Sequence, residues 1–306
     1  MAADLRRDPV RIQVPASSAN LGPAFDSAGL ALDIVDDLVA MITDDDGVLI
    51  EVFGEGAESV PLDDSHLVAR AMARGFEVMD AHPRGFILRC NNAIPHGLGL
   101  GSSAAAIVGG LALARALVVG GETLLPDADL IQVAKSMESH PDNISAALYG
   151  GLTFAWINED GLARHIRLEL HPAIRPVIAV PAAGLPTAEA RLALPLEVAF
   201  GDAVFNAARS ALLLHALTTE PAHLMDATSD RLHQDRRRSM YEPSLDLVEE
   251  LRAAGIPAAI SGAGPSVLAF ASPATADLVA GLAGTGWQVA QVGVAGLGVR
   301  AVPVVL

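Results

Sequence analysis

The sequence predicts an α+β fold of two domains, on three observations. Strand-like and helix-like segments alternate along the chain without the regular βαβ rhythm of a doubly wound sheet. The same mixture recurs on both sides of a polar stretch, Asn158-Glu159-Asp160-Gly161, the best candidate boundary, which divides the chain into residues 1–158 and 159–306. Hydrophobic residues make up 51% of the 306 positions and charged residues 18%, a composition that supplies buried cores and excludes a disordered chain.

Val10 to Val14 and Val48 to Phe53 are short, β-branched and alternating, and read as strands. Asp63-Asp64-Ser65 offers a cap for a helix reaching about Met79, with Leu67, Val68, Ala71 and Phe76 on one face. Phe86 to Cys90 is a further strand. It leads into a glycine loop and a helix, Ala104 to Val118, made almost wholly of small and aliphatic residues, as a helix buried against a sheet requires. One helix is expected from Pro126-Asp127 to near Glu138 and another from Asn143 to Leu148, followed by a strand, Leu152 to Ile157. The second half predicts strands at Arg175–Val180, Ala258–Ile260, Val267–Ala271 and Trp287–Val292. Its helices are expected near Thr187–Leu192, Asp202–Leu217, Pro243–Ala254, with Gly255 just past the end, and Ala274–Ala283.

The formal net charge of −16 argues against a nucleic-acid partner or an anionic membrane surface. Cys90 is the only cysteine, which excludes an internal disulfide and a thiolate zinc cluster, and it reads as a strand residue. Residues Met1 to Asp8 carry charge and no apolar core, and the run Ala104 to Val119 is broken by Gly109, Gly110 and Arg115. A cytoplasmic protein is expected, and the mean hydropathy of +0.40 suggests a further buried surface such as a homodimer interface.

Five segments concentrate polar groups at Gly- or Pro-marked turns. The first, Pro95-His96-Gly97-Leu98-Gly99-Leu100-Gly101-Ser102-Ser103, reads as a phosphate cradle: glycines let the backbone approach a ligand, and the helix start beyond them offers unpaired N–H groups to an anion. Its spacing is neither that of a Walker A loop nor that of a dinucleotide fingerprint, and close helix packing alone would also explain it. Pro15 to Asp26 brings hydroxyls, Asn20 and Asp26 into a turn that satisfies itself or lines a pocket. Glu138 to Asn143 places a hard oxygen ligand suited to Mg²⁺ at a helix end, where ordinary capping is the alternative. Thr187 with Arg191, and the run Arg236-Arg237-Arg238, supply guanidinium forks for a small acid, with Arg236 and Arg238 read as a solvated face. Ser261-Gly262-Ala263-Gly264-Pro265-Ser266 is a hairpin turn or a backbone lining for phosphate or substrate.

Taken in order, P-x-S-S-A-N-L-G-P-x-F-D from Pro15, P-x-x-x-G-L-G-S-S-A-A-A from Pro95, E-x-H-P-D-N from Glu138 and S-G-A-G-P-S from Ser261 resemble the GHMP small-molecule kinases. Among them the pattern is most similar to the branch that phosphorylates homoserine, from Val14 to about Phe270. The resemblance implies an N-terminal ATP-binding domain like the second domain of ribosomal protein S5, a ferredoxin-like C-terminal domain, and an active site between them. It also implies ATP, Mg²⁺ and transfer of the γ-phosphoryl group to the side-chain hydroxyl of L-homoserine, a step of threonine biosynthesis.

By this resemblance Pro95, Gly97, Gly99, Leu100, Gly101, Ser102 and Ser103 surround the nucleotide phosphates. Ser103 and Glu138 hold the metal, with Ser102 an alternative for the first. Asn20, Asp26, His140, Asn143, Thr187, Arg191, Arg237, Gly262 and Gly264 fall where such kinases contact homoserine. Arg191 and Arg237 are assigned to its carboxylate, Asp26 with Asn143 to its amino or hydroxyl end, and Asp26, Asn143 and Arg191 are the expected catalytic residues. Asp26 and His140 are the available proton acceptors, neither of them obligatory, because phosphoryl transfer needs mainly positioning and charge neutralisation. The sequence departs from the family pattern at Ala24 and Ser139, where Gly is usual, at Leu98, where Arg is frequent, and at Asp235, where a Pro commonly precedes the substrate arginine. Two alternatives follow: a GHMP kinase acting on mevalonate or a sugar, and a non-catalytic relative that binds a metabolite.

Overall fold

The computed structural model describes residues 3–138, 140–182 and 192–304. The N-terminal half runs β1 (Val10–Ala19), β2 (Ala28–Thr43), β3 (Gly47–Gly54), α1 (Leu67–Val78), β4 (Gly85–Asn92), α2 (Ser102–Leu117), α3 (Gly121–Leu124), α4 (Asp127–Met137), α5 (Pro141–Tyr149), β5 (Leu152–Ile157) and β6 (Ala163–Leu168). The C-terminal half runs β7 (Arg175–Pro181), α6 (Phe200–Thr218), α7 (Leu224–Ala227), α8 (Glu242–Ala253), β8 (Ala258–Ile260), β9 (Val267–Ala271), α9 (Leu278–Ala283), β10 (Trp287–Gln291) and β11 (Arg300–Val302).

The first sheet has the order β11-β1-β2-β4-β3, with β5 joined to the start of β2 and β6 joined to β5; only the β3–β4 pair is parallel. Period-two alternation sorts its faces. Ile12, Val14, Leu38, Ala40, Leu88 and Cys90 are buried, while Arg11, Gln13 and Asp37 lie on the opposite face, tied together by side-chain hydrogen bonds. Cys90 is a strand residue whose thiol burial pushes up to about 12, out of reach of thiolate chemistry. Helix α2 is the central helix of the core: eleven of its residues, from Ala104 to Leu117, are buried.

The second sheet, β10-β7-β9-β8, is antiparallel throughout. Counted along the chain its strands lie in the order 4-1-3-2, with helices in the first and last connections, which is the ferredoxin-like plait. Leu245, Val248 and Leu251 of α8 pack on Ile260, Val267 and Ala269. The two halves are also welded by apolar packing, because Leu213, Leu217, Leu268 and Phe270 belong to the same core cluster as Leu30, Leu111 and Ile144.

Several expectations change. β1 continues past Val14 to Ala19, with a register shift between Pro15 and Ala16 that accommodates the proline in a ladder. β2, the longest strand, has no counterpart in the sequence reading: its first five residues are buried on both faces, as Ala31 packs on Ala146 and Ala295, so the alternating signal is absent there. β6 and β11 are likewise additional, and the polar stretch 158–161 is the hairpin turn between β5 and β6, so the first sheet extends beyond it. Asp63 closes a turn by accepting from Ser65, and α1 starts after His66 without a side-chain cap. The last helix begins at Leu278 rather than Ala274, because Ser272 and Thr275 first close a turn on each other. The Thr187–Leu192 helix lies, but for Leu192, outside the described residues.

Candidate active site

Three loops converge where the two halves meet. Gly97, Gly99 and Gly101 all adopt left-handed backbone, with φ of 67°, 76° and 67°. At Gly99 a Cβ would meet the Ser261 carbonyl at 2.3 Å, and at Gly101 the Ser17 hydroxyl at 2.1 Å, so both positions demand glycine for space as well as for conformation. The loop is fixed from either side. Ser17 N donates to the Leu100 carbonyl at 3.0 Å, and Ser261 Oγ lies 2.7 Å from both the Gly99 carbonyl and Ser18 Oγ. Gly262 N donates to Ala19 and Asn20 Nδ2 donates back to the Gly262 carbonyl, closing the ring of loops.

Helix α2 starts at Ser102 with Gly101 as its N-cap and no side chain capping it, so its first N–H groups face outward at the positive end of the helix. Ser103 Oγ donates to Glu138 Oε2 at 2.6 Å. Burial raises the pKa of the Glu138 carboxyl, and the Ser103 hydrogen bond opposes that shift. Magnesium takes one or two protein oxygens where phosphate and water fill the remaining positions. Ser103 Oγ and Glu138 Oε2 supply such a pair, and the donor set fits the expected cation.

On one side of this pair is a cavity of about 230 Å³, lined by Asn20, Asp26, Glu138, His140, Asn143, Arg237 and Gly262. The resemblance had named every one of them. Asn20 and Asp26 hold left-handed backbone at φ 68° and 55°, the Asp26 N–H donating to Asn20 Oδ1, and Leu21 between them does so at 48°. A leucine there is strained, a cost borne by the packing around it. His140 Nε2 stands 3.6 Å from Asp26 Oδ2. Arg237 is only 2% exposed, with its guanidinium 5.7 Å from the centre of the Phe25 ring. Asn143 Oδ1 accepts from Ser17 Oγ at 2.9 Å and so ties α5 to β1.

The same cavity holds Phe25 and Asp142, which the sequence reading left out. Asp142 is buried, and its carboxyl is pushed up to about 7, first by burial and then by the charges of Asp26 and Glu138, although it accepts from Asn143 N. On the other side of the pair a second cavity of about 300 Å³, with mostly apolar surface, is walled by Leu38, Val60, Pro61, Leu67, Val68 and Ala106, with Asp36, Ser65, His66, Asn92, His96, Ser102 and Ser103 as its polar members. The glycine-loop motif marked only its His96, Ser102 and Ser103; the rest of the lining carries no motif, since it comes from four separate elements and their connections.

The remaining expected residues are placed as follows. Gly264, φ 84°, faces Gly99 and the Tyr241 ring, while Pro95 precedes the glycine turn without lining either cavity. Thr187 and Arg191 lie outside the described residues, as does Ser139. Ala24 is buried and not among the left-handed positions, so the missing glycine carries no strain. Asp235 pairs with Arg238 at 3.2 Å, and Arg236 and Arg238 are occupied by surface carboxylates.

Residues 66–151 match the model of the GHMP kinases N terminal domain and residues 208–281 that of the GHMP kinases C terminal, together just over half of the chain. A homoserine kinase of Streptomyces avermitilis is 49% identical over 294 residues, 96% of each chain. One of Mycobacterium tuberculosis is 46% identical over 263 residues, 85% of this chain and 83% of that protein. The crystal structure of a homoserine kinase from Cytophaga hutchinsonii has a TM-score of 0.83 over 99% of this chain and 100% of that one, at 23% identity. A mevalonate kinase structure shares the fold with a TM-score of 0.65 over 93% and 99%, at 14% identity. The two structures establish the architecture alone, while both domain models and near-half identity to the Streptomyces protein establish kinship: the chain belongs to the GHMP kinases, its curated relatives among them being homoserine kinases.

Proposed function

We propose that this chain transfers the γ-phosphoryl group of ATP to the side-chain hydroxyl of L-homoserine, giving ADP and O-phospho-L-homoserine for threonine biosynthesis. One observation carries the reading: two cavities lie on either side of the Ser103–Glu138 pair, at the open N-terminus of α2. The mostly apolar cavity suits the base and sugar of a nucleotide. The polar one suits an amino acid, with Arg237 for the carboxylate and Asp26 with Asn143 for the ammonium or hydroxyl end. Arg191, outside the described residues, is the second guanidinium assigned to that carboxylate.

The outward N–H groups of Ser102 and Ser103 and the glycine backbone hold the phosphate tail. Mg²⁺ bound by Ser103 and Glu138 supplies charge neutralisation on the phosphate oxygens. The remaining protein contribution is geometric: the acceptor hydroxyl is aimed from the Asn143 side of the pair at the γ-phosphorus, the new O–P bond forms as the bond to ADP breaks, and the hydroxyl proton leaves to Asp26, His140 or solvent, so that no strong base is needed. A coupled ADP-release assay with homoserine, mevalonate and galactose in parallel tests this. Turnover is expected with homoserine alone, and equal turnover with mevalonate or none with homoserine overturns it.

The same reading gives a cytoplasmic homodimer. No helix among the described residues is long and apolar enough to cross a membrane. Leu49 and Phe53 on the edge strand β3 are 59% and 51% exposed, apolar surface that a second copy would cover. Sedimentation velocity that returns a monomer at working concentration removes the dimer.

A further inference from the structure

We propose that His233, set by Asp230, is a positioning residue of this reaction: it locks the loop Gly22–Asp26 onto the segment that carries Arg237 and so fixes the spacing between the two sides of the acceptor cavity. The inference rests on the reading of that cavity as the homoserine site.

The segment 230–237 is organised by one carboxylate. Asp230 accepts from the N–H groups of Leu232, His233 and Gln234 at 2.9, 3.0 and 2.8 Å, and from Asn206 Nδ2 at 2.9 Å. This turn presents His233 to the opposite loop, with Arg237 one turn further on. The His233 side chain is wholly buried, and its Nε2 lies 2.8 Å from the Gly22 carbonyl. A carbonyl can only accept, so Nε2 carries the proton and Nδ1, buried without a hydrogen-bond partner, is bare. Burial lowers the pKa of the ring against the opposing pull of Asp230, 3.7 Å away, which keeps the imidazole neutral; Asp26 and Arg237 are the other charged groups acting on it.

The ring also lies 4.9 Å from the Phe25 ring, the one over which Arg237 sits. His233 therefore touches the backbone two residues after Asn20 and the side chain beside Asp26 while standing four residues from Arg237. The loop it holds needs holding, because Asn20, Leu21 and Asp26 all keep left-handed backbone that a free chain would relax. Asn206 and Ser210 of α6 brace the neighbouring carbonyl, both donating to Pro23. His233 joins this brace to the Phe25 ring at the cavity wall, and among the described residues its own hydrogen bonds go to Asp230 and Gly22 and not to the phosphate loop.

The test compares His233→Leu with His233→Gln, whose amide Nε2 stands the same number of bonds from Cα as the imidazole Nε2 and keeps the donor. Homoserine-dependent turnover of the parent enzyme is measured first, and its absence would sink the functional reading rather than this one. His233→Leu is expected to raise KM for homoserine about tenfold or more with KM for ATP within about twofold, and His233→Gln to recover most of the loss. A homoserine KM unchanged in the leucine variant, both KM values rising together, or glutamine as impaired as leucine overturns the proposal. Should the leucine variant fail to fold, nitrogen NMR of the parent's histidines decides. His233 is expected as the neutral Nε2–H tautomer at about pH 7, with a signal that moves on adding homoserine and stays on adding ADP. A doubly protonated ring at that pH, or a signal indifferent to homoserine, counts against it.

Discussion

Asp142 sits at the wall of the smaller polar cavity with its pKa pushed up to about 7, against an ordinary 3.8, first by burial. The folded protein holds that proton where the unfolded chain has released it, so stability from this group is intact below about pH 4 and is lost as the pH climbs to about 7. Asp142→Asn keeps the acceptor for Asn143 N and removes the titration. Urea denaturation should find the variant more stable than the parent at pH 8, by at most about 4 kcal/mol, and equal to it at pH 4. Glu138 presents the opposite case, a charge that the proposed cation site would need. Glu138→Gln retains an oxygen for the Ser103 hydroxyl but not the negative charge, so kcat should fall about 100-fold or more in the ADP-release assay while calorimetry still detects homoserine. Motif spacing made Glu138 legible from the sequence. Asp142 stands in the same motif, yet its perturbed carboxyl arises from burial beside Asp26 and Glu138, and burial is a property of three dimensions.

At the scale of elements, the glycine loop and α2 form one unit whose curvature is set by what presses on it. A methyl group at Gly99 meets the Ser261 carbonyl and a backbone angle that L-residues avoid. Gly99→Ala is expected to cost about 2 kcal/mol in urea denaturation and to raise KM for ATP more than KM for homoserine. Elements with their own periodicity or caps were legible: α2 from its apolar run, α4 from its start at Pro126-Asp127, α5 from Asn143, two residues inside its observed start at Pro141, and β8 and β9 from short apolar strands around a glycine turn. β2 was hidden because its first residues are buried on both faces and Asp33, Asp36 and Asp37 interrupt the rest. Asp36 is itself buried, raised to about 6, and accepts from Ala93 and Ile94 at the entry to the glycine loop. Its acidity makes sense only beside that loop.

The whole molecule is closed by its last described strand. β11 returns to the first sheet, pairing Arg11 with Val302 and Gln13 with Arg300, and Val299 N donates to the Ala147 carbonyl. Truncation after Gly298 should lower the unfolding free energy of the entire chain by about 2 kcal/mol, read as a lower urea midpoint, because β1 then becomes an edge strand and α5 loses a tie; an unchanged midpoint would show that the strand closes nothing. The shared core through Leu213, Leu217 and Phe270 makes the same point, and it explains why a boundary read from one polar stretch understates how far the first sheet reaches. By itself the sequence determined the α+β class and marked the glycine loop, the Ser103–Glu138 pair and most of the polar residues that line the smaller cavity. These depend on local conformation and on residue types whose chemistry is the same wherever the chain carries them. Only the tertiary structure decided that Phe25 and Asp142 line the same cavity, that His233 is bonded to the Gly22 carbonyl behind it, and that a mostly apolar chamber stands beside Ser103. Those features depend on which distant surfaces exclude water from one another, and exclusion is settled by packing.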